Sequence, residues 1–154
     1  MAITFTWESF EVAYPGVADL LVRRHYEEMA ANKHFYGLPD VDVSRYLALE
    51  KAGALHILMV RDDGKAIGYF VDLIHTNMHY QTVKMATEDT YYLDPAYRGK
   101  GIGKRMFREI ERVAEFGARM QVVKTRDAHD NGPFLESLGY RPADRLYMKI
   151  LRGK

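Results

Sequence analysis

The chain has 154 residues, 47% of them hydrophobic and 28% charged, with a formal net charge of +1. That length suits one folded domain with a substantial core, and the near-neutral balance leaves no global field to recruit nucleic acid or an anionic membrane. The absence of cysteine excludes disulfides, thiolate metal sites and an acyl-cysteine intermediate.

Met1 to Phe10 alternates polar with apolar residues and has no basic leader. No apolar run approaches the length of a membrane span, so a soluble cytoplasmic protein is expected. Ile3, Phe5 and Trp7 alternate with Thr4, Thr6 and Glu8, which predicts an opening strand with one buried face. Pro15 suits the first turn of a helix. Val17, Leu20, Leu21, Arg24 and Glu28 then form a stripe at helical spacing, placing two charged residues on the core side. A second helix, near Asp42 to Ala52, carries Tyr46, Leu47 and Glu50 and stops at Gly53.

Leu55 to Val60 and Ala66 to Ile74 are apolar runs joined by Asp62-Asp63-Gly64-Lys65, an Asp-Gly turn that makes them antiparallel neighbours. His75 to Tyr80 is polar and predicts a loop, followed by a strand from about Thr82 to Leu93. Beyond Gly103, apolar residues recur at three and four positions through Met106, Phe107, Ile110, Val113, Ala114 and Gly117, while charged residues take the other face. Met120 to Lys124 predicts a short strand, Asn131 to Leu138 a short helix, and Tyr140 to Leu151 a closing strand interrupted by Pro142. Late strand–helix–strand alternation requires a parallel crossover, whereas the middle is a meander. A mixed, mostly antiparallel central sheet flanked by helices, in the α/β or α+β class, is therefore expected, with no repeat, linker or low-complexity tract.

The richest stretch is Tyr97-Arg98-Gly99-Lys100-Gly101-Ile102-Gly103-Lys104, which follows Leu93-Asp94-Pro95 and opens a helix. Glycines at alternate positions let the backbone approach a ligand, and a helix start adds roughly half a positive charge. The stretch thus suits a pyrophosphate, with Lys100, Lys104 and Arg105 nearby. A nucleotide-triphosphate loop needs four residues between its first glycine and Gly-Lys, then Ser or Thr. Here Gly99 and Gly103 enclose three, and Arg105 follows. The dinucleotide fingerprint also fails, because Lys104 stands where its third glycine should be.

Arg98-x-x-Gly101-x-Gly103 after a strand ending in Leu-x-Pro resembles the acetyl-coenzyme A signature of the GNAT N-acetyltransferase superfamily. Element order from Leu55 to Lys149, and the Asn131…Phe134-Leu135-Glu136-Ser137-Leu138-Gly139-Tyr140 segment, extend the likeness. The resemblance implies a single three-layer domain over residues 1–154, acetyl-CoA as cosubstrate, and direct acetyl transfer to a primary amine in a ternary complex. It also implies that Arg98, Gly99, Lys100, Gly101, Ile102, Gly103 and Lys104 hold the pyrophosphate. The pantetheine arm is then bound by the main chain at Tyr91, Tyr92 and Leu93, with Asn131 and Phe134 beside it. Tyr91 and Tyr92 also read as ordinary aromatic strand residues, and Asn131 as helix-cap chemistry.

A lysine-like amine with pKa near 10.4 is neutral about once in 10³ molecules at neutral pH, so a carboxylate must take its proton. Glu88 and Asp89 lie on the strand before the loop. Neighbouring strand residues face opposite ways, which favours Asp89, sharing a face with Thr87 and Tyr91; a bulge would exchange the faces. Relatives place a tyrosine four residues before the Gly-aromatic pair as general acid, and here that position is Leu135. Tyr147 on the closing strand is the substitute candidate, although a thiol of pKa near 8.5 leaves tolerably without one. His25, Glu28, His79 and Tyr80 are the candidates for the polar wall of an acceptor pocket, with a salt bridge as the alternative for Glu28. Six histidines offer no spaced ligand set, so no metal is expected. The serines show no nucleophile-elbow context, and basic residues interleaved with acids give no nucleic-acid stripe. The acceptor is expected to be a small molecule or peptide amine, and no membrane or nucleic-acid partner is expected; the sequence does not fix the oligomeric state, although the domains it resembles commonly pair as homodimers. Two rivals stand: a non-catalytic acyl-CoA-binding or interaction module, favoured by Leu135, and an acyltransferase with a non-amine acceptor or a longer acyl chain.

Overall fold

The structure, a computed structural model, describes residues 1–29, 36–126 and 129–152. The opening alternation forms β1 (Ile3–Glu8), and α1 (Phe10–Leu20) follows at once. Pro15 is not in the first turn of α1 but inside it, a correction to the sequence expectation. The helix starts early because its first N–H, on Phe10, finds a remote acceptor in the Glu50 carboxylate at 2.6 Å. A π-turn (Leu21–His25) leads into α2 (Tyr26–Met29). It adds a residue to the period, so the buried series Phe10, Ala13, Val17, Leu20 continues at His25, and the expected core positions Arg24 and Glu28 are turned away. Asp42 caps α3 (Val43–Lys51) by accepting from Arg45 N–H at 3.0 Å.

Strands β2 (Leu55–Asp62) and β3 (Lys65–Thr76) are joined by Asp63 and Gly64, both at positive φ, 45° and 85°, as a two-residue hairpin turn requires. Strand β4 (Lys84–Leu93) returns antiparallel, a 3₁₀ turn (Pro95–Tyr97) precedes the glycine loop, and α4 (Ile102–Ile110) tightens into a 3₁₀ segment (Glu111–Phe116). Strand β5 (Met120–Val122) and α5 (Gly132–Ser137) follow. The sheet runs β1-β2-β3-β4-β5, antiparallel except for the parallel β4–β5 pair. The mixed, mostly antiparallel sheet expected from the sequence is present.

Each sheet face carries its own core. Leu58, Val60, Phe70, Ile74 and Ala86 pack with Met106, Phe107 and Ile110 of α4 and Leu135 of α5. Ile57, Met59, Tyr69, Val71 and Tyr92 pack with Phe10, Ala13, Val17 and Leu20 of α1. Each large side chain so buried contributes about 1.5–3 kcal/mol, against about 0–1 kcal/mol for an exposed ion pair, so the two apolar layers set the architecture. Gly16 permits the close seating of α1, because a Cβ there would lie 2.8 Å from Ala66 Cβ.

The closing strand is absent. Residues 141–152 form no strand, and Leu146, Tyr147 and Leu151 lie 79%, 90% and 85% exposed. Pro142 cannot donate to a ladder, and the run from Leu146 to Leu151 puts apolar groups on both faces without the alternation that fixes a register.

Candidate active site

The parallel β4–β5 pairing covers only Met85–Thr87 against Met120–Val122, after which the two strands part. Within the parted stretch β4 carries a bulge. Val71 faces Thr90 and Asp72 faces Glu88, leaving Asp89 without a partner on β3. The bulge leaves Asp89 on the face of Thr87 and parts it from Tyr91. Tyr91 stacks on Phe70 (5.2 Å) and meets Phe107 of α4 edge-on, whereas Asp89 accepts a short hydrogen bond from Tyr46 Oη of α3 on the other side of the sheet. The expectation that Tyr91 shares the face of Asp89 is corrected accordingly.

Glu88 and Asp72 are cross-strand neighbours, 6% and 0% exposed. Gln121 Nε2 donates to both Asp72 oxygens at 2.9 Å, and Lys124 N–H donates to Glu88 at 3.2 Å. Burial pushes the Asp72 carboxyl up to about 7, Gln121 opposing, and burial likewise raises Glu88 against the pull of Lys124. Asp72 escaped the sequence reading, although a lone acid inside the apolar run Ala66 to Ile74 was its signal.

The main chain of β4 offers its free groups to the gap. A Cβ on Gly68 would lie 2.8 Å from Tyr92 O, and Asp94 N–H donates to Ile67 O at 2.8 Å, so both groups face β3. Alternation along the strand turns the N–H and C=O of Tyr91 and Leu93 to the parted side. The Leu93 carbonyl already accepts from Arg98 Nε at 2.9 Å. Tyr92 is buried by its side chain and stacks on His25 at 5.0 Å. Asn131 Nδ2 donates to Tyr91 Oη at 3.0 Å, and Phe134 meets Phe107 edge-on at 5.4 Å, so both flank the gap from α5.

Gly99 and Gly101 have φ of 72° and 78°, and nothing lies within 4 Å of a Cβ built on either. Their backbone needs glycine and the space beyond it is open. Gly103 has no such conformational need, and a Cβ there would make only ordinary contact with Leu93 at 3.7 Å. The first helical bond of α4 runs from Arg105 N–H to Gly101 O, and no side chain caps the helix. The N–H groups of Ile102, Gly103 and Lys104 are therefore the uncommitted donors of its first turn. Lys100 Nζ bonds Ala96 O at 2.8 Å, the Arg105 guanidinium lies 4.6 Å over the Phe5 ring, and Lys104 is exposed between them at the helix start.

Two ion pairs tie the α1–α2 arm to this junction. Glu28 grips Arg98 with both oxygens, at 2.5 and 2.9 Å, and Arg24 pairs with Asp94. The salt-bridge alternative for Glu28 thus holds, with Arg98 as partner. His25 is buried with Nδ1 2.6 Å from Tyr69 Oη, and burial lowers its pKa to about 4, so it stands neutral at pH 7. His79 and Tyr80 lie exposed in the β3–β4 turn, before the start of β4, and the structure brings neither to Asp89. Tyr147 is also not delivered to the site, because no strand carries it; Leu135 is fixed in the core at 6% exposure. Tyr46 is the side chain that sequence reasoning placed on a helix without assigning it a role.

On the α1–α3 side, Tyr14, Val17, Leu21, Val41, Tyr46 and Thr90 line a small recess of about 40 Å³, with Tyr46 joining it to Asp89. Among the described residues no group of three or more metal-ligating side chains is assembled, and no helix is long and apolar enough to cross a membrane.

An open mixed sheet with a parted strand pair beside a glycine-rich helix start defines the architectural class. The chain belongs to the acetyltransferase (GNAT) family, which it matches over residues 16–140. Its fold is similar to that of ribosomal-protein-alanine N-acetyltransferase from Brucella melitensis biovar Abortus 2308, at 19% identity and a TM-score of 0.74, with 100% of each chain covered. It is similar to glucosamine-6-phosphate N-acetyltransferase from Arabidopsis thaliana at 14% identity and a TM-score of 0.73, covering 99% of this chain and 100% of that one. An aminoglycoside acetyltransferase from an uncultured soil metagenomic sample aligns at 16% identity and a TM-score of 0.74, with 99% and 100% covered. No curated protein matches the sequence.

Proposed function

We propose that the chain is an acetyl-CoA-dependent N-acetyltransferase that moves the acetyl group directly to a primary amine in a ternary complex. The observation that carries this is the join of two main-chain donor sets: the parted edge of β4 at Tyr91 and Leu93, and the uncapped start of α4. Open space beyond Gly99 and Gly101, and a Gly103 that protein packing does not require, fit a diphosphate resting against the helix amides. Arg98 supports the loop through Leu93 and Glu28, and Lys104 adds an exposed charge. Asn131 and Phe134 border the pantetheine side. A single domain, a cytoplasmic setting and pairing as a homodimer, with no membrane or nucleic-acid partner, belong to the same proposal, carried over from the family resemblance.

The bound donor supplies one thing, a thioester carbonyl carbon open to an amine. Asp89, held by the Tyr46 that lines the recess, takes the proton of the incoming ammonium, directly or through one water. The C–N bond would then form as the C–S bond breaks, the second nitrogen proton passing to the departing sulfur directly or through water, and a thiol pKa near 8.5 makes an enzymic acid dispensable. Glu88 faces away from the recess, held by Lys124, and is the weaker candidate for the base. Free-thiol release from acetyl-CoA on adding an amine tests the reading. Asp89→Asn should lower kcat by about 10²- to 10⁴-fold with CoA affinity unchanged, and Glu88→Gln should lower it less; equal loss in both would remove the assignment. The second reading, a non-catalytic acyl-CoA-binding module, is favoured by the buried Leu135 at the usual acid position, and it predicts CoA binding without thiol release for any amine.

A further inference from the structure

We infer that Glu88 is a positioning residue: by taking the Lys124 N–H it sets the width of the slot between β4 and the chain leaving β5, into which the pantetheine arm of the donor passes. The inference rests on the acetyltransferase reading and gives a role to the second acid of β4.

Main-chain pairing between the two strands is short. β5 has three residues, and its ladder ends at the pair Thr87 and Val122. Glu88 is the next residue of β4, and the Lys124 N–H, two residues beyond Val122, donates to its Oε2 at 3.2 Å. Residues 123–125 form no strand, so at this point a side chain takes over from main-chain pairing. A ladder draws two main chains to roughly 4.8 Å, whereas a glutamate standing between them adds its own length. Val123, between the ladder and the tether, packs against the α4 core.

The same stretch of chain is hung from β4 a second time. Thr125 Oγ1 accepts from Asn131 N–H at 2.7 Å, and Asn131 Nδ2 donates to Tyr91 Oη at 3.0 Å. Glu88 and Tyr91 thus hold the far wall of the gap at two points three residues apart, and the main-chain groups that β4 turns into the gap, those of Tyr91 and Leu93, begin at the second point. Burial makes the first point firm. Glu88 is 6% exposed, and a buried carboxylate is costly without partners. Lys124 supplies two, its N–H and, at 3.8 Å, its ammonium. Bonds to an ionised acceptor are the stronger kind, so the tether resists both collapse of the gap into a longer ladder and further parting.

Calorimetric titration of CoA into the wild type, Glu88→Ala, Glu88→Gln and Lys124→Met, with a melting curve for each, tests the inference. Glu88→Ala should raise the Kd for CoA at least about tenfold, inside the hundredfold that a displacement of roughly 1 Å can cost. Glu88→Gln keeps an acceptor for the N–H and Lys124→Met keeps the N–H itself, so both should bind CoA much as the wild type does. Without CoA, hydrogen exchange at the Lys124 amide should quicken in Glu88→Ala while the ladder amides of β5 keep their protection. Should Glu88→Ala not fold, Lys124→Pro removes the same bond from the other side and should weaken CoA binding equally. Loss of a base alone would leave CoA affinity untouched, so wild-type affinity in Glu88→Ala overturns the inference. An equal loss in Glu88→Gln or in Lys124→Met does the same, as does unchanged exchange at Lys124. If the wild type itself binds no CoA, the acetyltransferase reading fails and takes the inference with it.

Discussion

His25 and Asp72 are opposite perturbations of similar size on the two faces of one sheet. Burial holds His25 neutral down to a pKa of about 4 against an ordinary 6.5, so the unfolded chain takes up a proton first and stability is lost as pH falls from 6.5 to 4. Asp72 keeps its proton up to about 7 against an ordinary 3.8, so its contribution is complete below 3.8 and is lost as pH rises toward 7. Each is on the order of 3–4 kcal/mol at full extent, and between pH 4 and 6.5 they offset. Calorimetric melting from pH 4 to 7.5 should show Asp72→Asn tilting the profile toward loss at low pH and His25→Gln tilting it toward gain. Two variants with the wild-type slope would contradict both burials. At this scale the sequence told residue type but not company. Glu28 and Arg98 stand seventy residues apart, and nothing local announces that one answers the other; Asp72 alone was betrayed by its apolar neighbours.

Two departures from regular periodicity shape the site. The π-turn at Leu21–His25 turns His25 inward where a 3.6-residue count buries Arg24, and the bulge at Asp89 sends that carboxylate to the α3 side while Tyr91 goes to the α4 side. A pattern of apolar spacing assumes an unbroken period, so one extra residue in helix or strand inverts every assignment beyond it. Regular elements were legible for the converse reason. The Asp63-Gly64 turn, the Asp42 cap and the apolar stripe from Met106 to Ile110 each carry their conformational cause within a few residues. The start of α1 was not, because its cap is Glu50, supplied from α3. Glu50→Ala should cost about 1 kcal/mol, lowering Tm by about 2–4 °C for a chain of this size without changing CoA affinity. An unchanged Tm would mean that the Phe10 N–H is satisfied some other way.

The described residues join two cores through one sheet, and β4 and β5 part beside the glycine loop. The β2–β3 pairing, the sheet class and the place of the glycine loop were readable because a hairpin turn and a crossover leave few topologies to choose among. The closing strand was not realised: an apolar run shows that a segment wants burial, but not what buries it. The opening beside β4, the αL glycines and the uncapped α4 make sense together as one anion and thioester cleft. Isothermal titration of CoA into the wild-type chain and into Gly103→Ala measures this most directly, since a Cβ on Gly103 would make only ordinary contact within the protein. The account predicts saturable binding by the wild type and at least about tenfold weaker binding, a loss of about 1.4 kcal/mol, by a variant that melts at the same temperature. No binding by the wild type, or equal affinity in the two proteins, would contradict it.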